Sequence, residues 1–283
     1  MAEATGIVLA GGRSSRMGTS KAALEWHGST LLRRVVGIVG RAVDGPVIVV
    51  RAPDQELPSL PDDVEIAEDA CEGRGPLQGL QAGLAAARAH APVAYASSTD
   101  VPLLHPRFVH RVVAAVDDAT DVALPQIHGF PQPLAAAYRT ELVEVVARLI
   151  AEDRMRPAFL FEACRTTRLE ADVLLGDPAL AALDPELDSV LNLNEPADYE
   201  AARARPAPEV TVRVFGALRR AARAAADPAL VAAATLGEAA AAIGLTLDGH
   251  VVAALNGDHI VRDAETPLVA GDAVSFLAAD AGG

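Results

Sequence analysis

The chain has 283 residues, half of them apolar but only 4% aromatic, with a formal net charge of −14. That length suits one large domain, or a medium one plus a small one, and either can bury a core. The acidity argues against a nucleic-acid partner, which needs a basic face, but allows one anionic ligand held by a few local cations.

Gly6–Ala10 is a short apolar run ending in Gly11 and Gly12, as a buried parallel strand reads. Leu31, Leu32, Val35, Val36 and Val39 recur at helical spacing, with Ser29 or Thr30 as the N-cap. Pro46–Val50 reads as a second strand, Leu77–Ala89 as a helix, Val93–Ser97 as a third strand. Phe108, Val109, Val112, Val113 and Val116 mark another amphipathic helix, and an apolar strand runs from Gln132 to Tyr138. Strands alternating with helices predict an α/β domain with a mostly parallel sheet covered on both faces. Ligands of such sheets sit beyond the carboxyl ends of the strands.

The turn after the first strand reads Leu9-Ala10-Gly11-Gly12-Arg13-Ser14-Ser15-Arg16-Met17-Gly18-Thr19-Ser20-Lys21. Adjacent glycines let backbone N–H groups approach a phosphate without Cβ interference, and Arg13, Arg16 and Lys21 supply cations. The spacing is neither that of a Walker A loop nor that of the dinucleotide fingerprint, and a plain tight turn is the competing reading. Lys21 is the only lysine among 24 basic residues. A compact, mobile point charge differs from the planar fork of arginine, and a site following charge on a transferring phosphate needs the former.

Further along stand Glu68-Asp69, Gly75-Pro76-Leu77-Gln78-Gly79-Leu80, Ser98-Thr99-Asp100-Val101-Pro102, Phe130-Pro131-Gln132-Pro133-Leu134 and Asn192-Leu193-Asn194-Glu195-Pro196. Together with the glycine-rich turn, and in this order, they resemble the molybdenum-cofactor guanylyltransferases, within the wider nucleotidyltransferases of Rossmann-like GT-A fold. The resemblance covers most of residues 5–203. It implies that Leu9, Ala10, Gly11, Gly12, Arg13, Asp69, Gly75, Pro76 and Leu77 line the nucleotide, that Arg16 and Lys21 hold its triphosphate, and that Asp100 binds Mg²⁺. Asn192 and Asn194 would return to the same site. Read locally, Asp100 also suits a turn or helix cap, Asn192 and Asn194 an Asx turn, Gly75-Pro76 a helix start, and Gln132–Leu134 a core strand where the family places pterin contacts. Cytidylyl-specific relatives tend to carry alanine at the position of Gly11, so glycine there favours GTP. Arg51 is a departure, standing where some relatives place an asparagine that contacts the nucleotide.

The implied reaction is attack by the terminal phosphate of molybdopterin on the α-phosphorus of GTP, with pyrophosphate leaving. A phosphate oxygen is already anionic near neutral pH, so catalysis needs positioning and charge neutralisation rather than a general base.

Residues 204–209, within the proline-containing RARPAPE, read as a linker between domains at 1–203 and 210–283. From residue 209 onward five arginines face nine acids, leaving −4 there. Val210–Phe215 alternates as a half-buried strand, Thr235-Leu236-Gly237-Glu238 is a capping box before an Ala-rich helix, and Val251–Leu255 with Asn256-Gly257 signals a hairpin. Pro267–Asp272 turns into a last strand, Ala273–Leu277. This predicts a small α+β β-grasp (ubiquitin-like) domain. Val214–Arg219, Ala254–Gly257, Gly271-Asp272 and the terminal Gly282-Gly283 resemble the small subunit of molybdopterin synthase, a sulfur carrier. The resemblance implies chemistry at the Gly283 carboxylate, with the large synthase subunit and an adenylating (E1-like) enzyme as partners. The family's prolines before the tail are missing, since Leu277–Ala281 reads LAADA.

The N-terminus lacks the pattern of a signal peptide, and no apolar run is long enough for a bilayer span. Cys71 and Cys164 have no ligand spacing and read as buried free thiols in a reducing compartment, so a cytoplasmic protein without membrane partners is expected. Two alternatives stand beside the bifunctional reading. One is the same transferase with a silent docking module, the other a transferase for another small acceptor.

Overall fold

The computed structural model describes residues 3–11, 20–69, 73–222 and 227–279. The chain divides into two compact units, Met1–Leu24 with Leu31–Asp198, and Glu25–Thr30 with Tyr199–Gly283.

In chain order the elements begin with β1 (Ala4–Leu9), the hairpin strands β2 (Glu25–Trp26) and β3 (Ser29–Thr30), α1 (Leu31–Gly40), β4 (Val47–Arg51), β5 (Glu65–Glu68), α2 (Pro76–Ala87), β6 (Val93–Ser98) and α3 (Pro106–Val113). There follow β7 (Val122–Ile127), β8 (Phe130–Pro131), β9 (Ala135–Arg139), α4 (Val143–Ala151), α5 (Pro157–Ala163), β10 (Thr166–Glu170), α6 (Ala171–Leu175), α7 (Pro178–Leu183) and α8 (Pro196–Arg203). Among the described residues the first unit holds an eight-stranded sheet ordered β10-β7-β9-β6-β1-β4-β5, with β8 paired to β7. β1 pairs parallel with both β4 and β6, whereas β9 runs antiparallel to β6 and β7. The reversal follows from a tight turn at His128 and Gly129, both at positive φ.

All six residues of β1 are buried, as a central parallel strand requires. Successive side chains alternate between faces, so Gly6 and Ile7 report on opposite layers. A Cβ on Gly6 would lie 2.5 Å from Val39 Cγ1 of α1, and one on Gly83 of α2 would lie 2.5 Å from Ile7 Cγ2. Both helices therefore touch the strand at contact distances only glycine permits. With Gly79 close to Leu9, α2 is seated along β1 so that its N-terminus meets the strand's carboxyl end. Leu77, Leu80 and Leu84 of α2 join Ile7, Leu9, Ile48 and Val50 in a continuous core with α4 and α5. Burying such a side chain is worth roughly 1.5–3 kcal/mol.

The second unit adds β11 (Glu209–Val214), β12 (Ala229–Ala232), α9 (Leu236–Ala242), β13 (Val251–Leu255), β14 (His259–Val261) and β15 (Ala273–Ala278). Its sheet order is β12-β11-β15-β13-β14, with the first and last strands central and parallel, which is the β-grasp arrangement. Thr235 Oγ1 accepts from Glu238 N, and Glu238 Oε2 accepts from Ala234 N, closing a capping box one residue wider than the usual reciprocal pair. Asn256 and Gly257 both adopt positive φ, and the register of Leu255 with His259 makes a three-residue turn. β12 was not legible, because Ala-Leu-Val-Ala after an Ala-rich stretch has no strand alternation of its own.

Candidate active site

The carboxyl ends of β1, β4 and β6 lie side by side, and a cleft of about 510 Å³ opens there, walled by the start of α2. It is lined by Leu9, Ala10 and Gly11 after β1, Val50 and Ala52 at β4, and Asp69 after β5. Gly73, Gly75, Pro76 and Gly79 contribute from the α2 side; Lys21, Ser98, Thr99, Asp100 and Leu134 complete it. Gly75 has φ +97, and Pro76 occupies the first turn of α2, so the helix start is fixed without a side-chain cap.

Two residues 79 apart in sequence meet in this cleft. Lys21, in a 3-10 turn over Lys21–Ala23, places Nζ 2.8 Å from Asp100 Oδ2. Both side chains are largely covered, at 20% and 14% exposure. Asp100 lies two residues beyond β6, and its carbonyl accepts from Leu193 N at 2.8 Å. The following Pro102 carbonyl accepts from the buried Arg34 Nε at 2.5 Å. The backbone at and just after Asp100 is thereby held.

Asp100 Oδ1 is buried and has no hydrogen-bond partner among the described residues. A buried carboxylate oxygen without a partner is costly unless a cation or donor reaches it. Mg²⁺ takes hard oxygen ligands and commonly keeps only one or two carboxylates, completing its shell with substrate phosphates and water. Among the described residues no group of three or more His, Cys, Asp or Glu could form a protein cage. One carboxylate with an open oxygen in a cleft fits a cation that arrives with its substrate.

Other residues named from sequence are placed as follows. Asn192 accepts from Ser98 Oγ at 3.5 Å through Oδ1 and donates to the Val190 carbonyl. It therefore stands at the end of β6, behind the cleft's lining. Asn194 is exposed; its backbone N–H and that of Glu195 donate to Asp198 Oδ2, so Asp198 in the first turn of α8 reaches back to cap the helix start. Leu77 is fully buried in the core beneath the cleft. Gly12, Arg13, Arg16 and Gly283 lie outside the described residues, as do Cys71 and Gly282. Cys164 is half-buried and donates to the Leu160 carbonyl; burial pushes its thiol pKa up. Arg51 points away from the cleft, pairing with Glu68 at 2.6 Å and donating to the Gln55 carbonyl.

Ser98, Thr99, Val50, Ala52, Gly73 and Gly79 line the cleft without having been assigned a role from sequence, whereas Leu134 lies in the segment where the resemblance implies pterin contacts. Ser98 and Thr99 were within reach, since they directly precede Asp100. Val50 and Ala52 carry no chemical signal, and only the adjacency of β4 to β1 brings them in.

Among the described residues no helix is long and apolar enough to cross a membrane. Residues 6–166 match the MobA-like NTP transferase domain family, and residues 212–283 match the ThiS family. A probable molybdenum cofactor guanylyltransferase of Mycobacterium avium is 42% identical over 150 residues, 52% of this chain and 74% of that protein. One of Mycobacterium tuberculosis is 38% identical over 168 residues, 58% of this chain and 82% of its own length. The crystal structure of molybdopterin-guanine dinucleotide biosynthesis protein A from Archaeoglobus fulgidus superposes with a TM-score of 0.56 at 20% identity, covering 70% of this chain and 96% of that one; at that identity the likeness is of fold alone. The chain belongs to the MobA-like NTP transferases and is a nucleotidyltransferase carrying a C-terminal ThiS-family domain.

Proposed function

We propose that the chain transfers GMP from GTP to molybdopterin, releasing pyrophosphate, with Mg²⁺ on Asp100. The observation that carries this reading is the Lys21–Asp100 pair in the cleft, with Asp100 Oδ1 left open beside it. It is supported by the family match over residues 6–166 and by the names of the relatives that align with 150 to 168 residues of this chain. When bound, the metal neutralises phosphate charge as the leaving group forms. Lys21 and Arg16 hold the triphosphate, with Lys21 moving from the Asp100 carboxylate to the phosphate chain. Leu9, Ala10, Gly11, Gly12, Arg13, Asp69, Gly75 and Pro76 surround the nucleotide, Leu77 supports that wall from the core, and Asn192 and Asn194 fix the segment behind Asp100. No general base is called for, because the attacking phosphate oxygen is already anionic. The transferase domain spans 1–203 and the linker 204–209, and the protein works in the cytoplasm.

The domain at 210–283 acts in this reading as a sulfur carrier for molybdopterin synthase. An adenylating enzyme would activate the Gly283 carboxylate, and a sulfur donor would convert it to a thiocarboxylate for the large synthase subunit. Its family match and β-grasp order support this role.

The test is an NTP panel with purified protein and molybdopterin, following pyrophosphate. Release with GTP well above that with CTP, ATP or UTP is expected. Release only with another acceptor, such as a sugar phosphate, would reject the proposed substrate. Intact-mass analysis after exposure to the activating enzyme and a sulfur source tests the second domain; a mass without added sulfur would leave it a docking module.

A further inference from the structure

We propose that Gln55 is a positioning residue that sets the width of the nucleotide cleft, by replacing one backbone rung between β1 and β4 with its own side-chain amide. The proposal rests on the nucleotidyl-transfer reading above for its ligand, and on four hydrogen bonds for its geometry.

β1 and β4 are paired in parallel register up to Leu9 and Val50, and the last backbone bond between them is Ala10 N to the Val50 carbonyl at 2.8 Å. A parallel ladder would continue with Ala52 N donating to the Ala10 carbonyl. Instead Ala52 N donates to Gln55 Oε1 at 3.0 Å, and Gln55 Nε2 donates to the Ala10 carbonyl at 2.9 Å. One primary amide satisfies both backbone groups and holds them apart by its own width. The strands therefore splay at the residues that line the cleft, Ala10 and Gly11 on one side and Ala52 on the other.

Gln55 is itself held. Its N–H donates to the Ala52 carbonyl at 3.2 Å, closing a turn with Asp54 at φ +58, and its carbonyl accepts from Arg51 Nη1 at 3.2 Å. Arg51 is fixed in turn by Glu68. The arginine that departs from the family pattern thus serves the spacer rather than the ligand. An apolar side chain of the same length cannot bridge a donor and an acceptor, so the gap either closes into a direct rung or takes up water. Both change the wall against which the nucleotide packs, while the acceptor's side of the cleft, at Leu134, is untouched.

The experiment uses the full chain with Gln55→Met and Gln55→Glu. Glutamate keeps the acceptor for Ala52 N but turns a carboxylate oxygen toward the Ala10 carbonyl. Calorimetric titration with each of the four NTPs in the presence of Mg²⁺ gives Kd, and steady-state turnover gives KM for molybdopterin. We expect the Kd for the preferred NTP to rise by about tenfold in both variants, as the loss of one or two hydrogen bonds at a wall would give. KM for molybdopterin and the melting temperature should change little. If Gln55→Met fails to fold, Gln55→Glu carries the comparison. An unchanged nucleotide Kd in a folded variant, or equal losses for both substrates, overturns the proposal. A wild-type chain that prefers CTP overturns the choice of base instead, and the same Kd comparison with CTP then decides the role of Gln55.

Discussion

Lys21 Nζ stands 2.8 Å from Asp100 Oδ2, so the sole lysine of the chain is paired with the carboxylate that follows the central strand β6. The pair joins the segment after the glycine-rich turn to the segment after β6, and both partners are mostly shielded from water. Removing Lys21 takes away a mobile positive charge and leaves Asp100 less compensated. We expect Lys21→Ala to lower kcat by about 10²–10³-fold, the scale of losing one preorganised charge-stabilising group. Circular dichroism should be unchanged, because the core under the cleft does not include Lys21. A near-normal rate would remove Lys21 from the mechanism.

Asp100 makes a separate prediction. Its Oδ1 is open while Oδ2 is held by Lys21, so a cation has one oxygen waiting for it. Asp100→Asn keeps the shape but loses the charge a divalent ion needs. Turnover should fall by about 10²-fold or more, and the Mg²⁺ concentration for half-maximal rate should rise. Chelation of wild-type protein should stop turnover. Activity that persists in EDTA would exclude the assigned metal role.

The carboxyl-end location of this site was legible from alternating strand and helix patterns, because ligand sites in parallel sheets follow topology. Asp100 stood out because it closely follows a strand, and Lys21 because it ends the cation-bearing, glycine-rich segment and is the only lysine in the chain. Gln55 was invisible. Its role comes from a side-chain amide standing in for a backbone bond, and nothing in Ala52-Pro53-Asp54-Gln55 announces that. The stretch from Pro157 to Val190 was equally opaque. Its short helices bury single leucines such as Leu160, Leu174 and Leu180, too few per turn to give a period. The local signals there were Pro157 and Pro178 at the starts of α5 and α7, and Asp177 as N-cap of α7, accepting from Ala179 N and Leu180 N.

Gly83 tests how α2 is seated. In an open helix Gly→Ala gains about 1 kcal/mol of helix propensity. Here the new Cβ would lie 2.5 Å from Ile7 Cγ2, and Ile7 is fully buried, so it has no free volume to retreat into. Overpacking of this kind costs about 1–3 kcal/mol, and the loss should win. We expect Gly83→Ala to lower the melting temperature by a few degrees, on the order of 2–6 °C. A raised melting temperature would mean that helix and strand separate at no cost.

The start of β7 is tied to the segment before β10 by Asp121, whose two oxygens accept from the Arg165 guanidinium and from Arg165 N. The guanidinium hydrogen bond holds the Asp121 carboxyl below its ordinary range. A carboxyl depressed in the folded state adds stability above its unfolded pKa, and that contribution is lost as pH falls through the folded value. Asp121→Asn should therefore be less stable than wild type in urea at neutral pH, with the difference shrinking below about pH 4. A gap independent of pH would assign the effect to packing alone.

Asn256 is the corresponding test in the β-grasp unit. Its Nδ2 donates to Asp272 Oδ1 and its Oδ1 accepts from Ala273 N, both at 2.9 Å, so one side chain locks the β13 turn to the start of β15. Asp272 is buried, with Oδ2 accepting from Val269 N. Asn256 also sits at φ +55, a conformation asparagine tolerates better than alanine does. Asn256→Ala thus weakens a buried carboxylate's hydrogen bonding and strains the backbone at once. The two effects together should cost about 2–4 kcal/mol. Asn256→Gly relieves the strain but not the lost bonds, so it should recover about 1 kcal/mol of that and no more. Equal stability of the alanine and glycine variants would show that hydrogen bonding alone fixes the turn, and a glycine variant as stable as wild type would show the reverse.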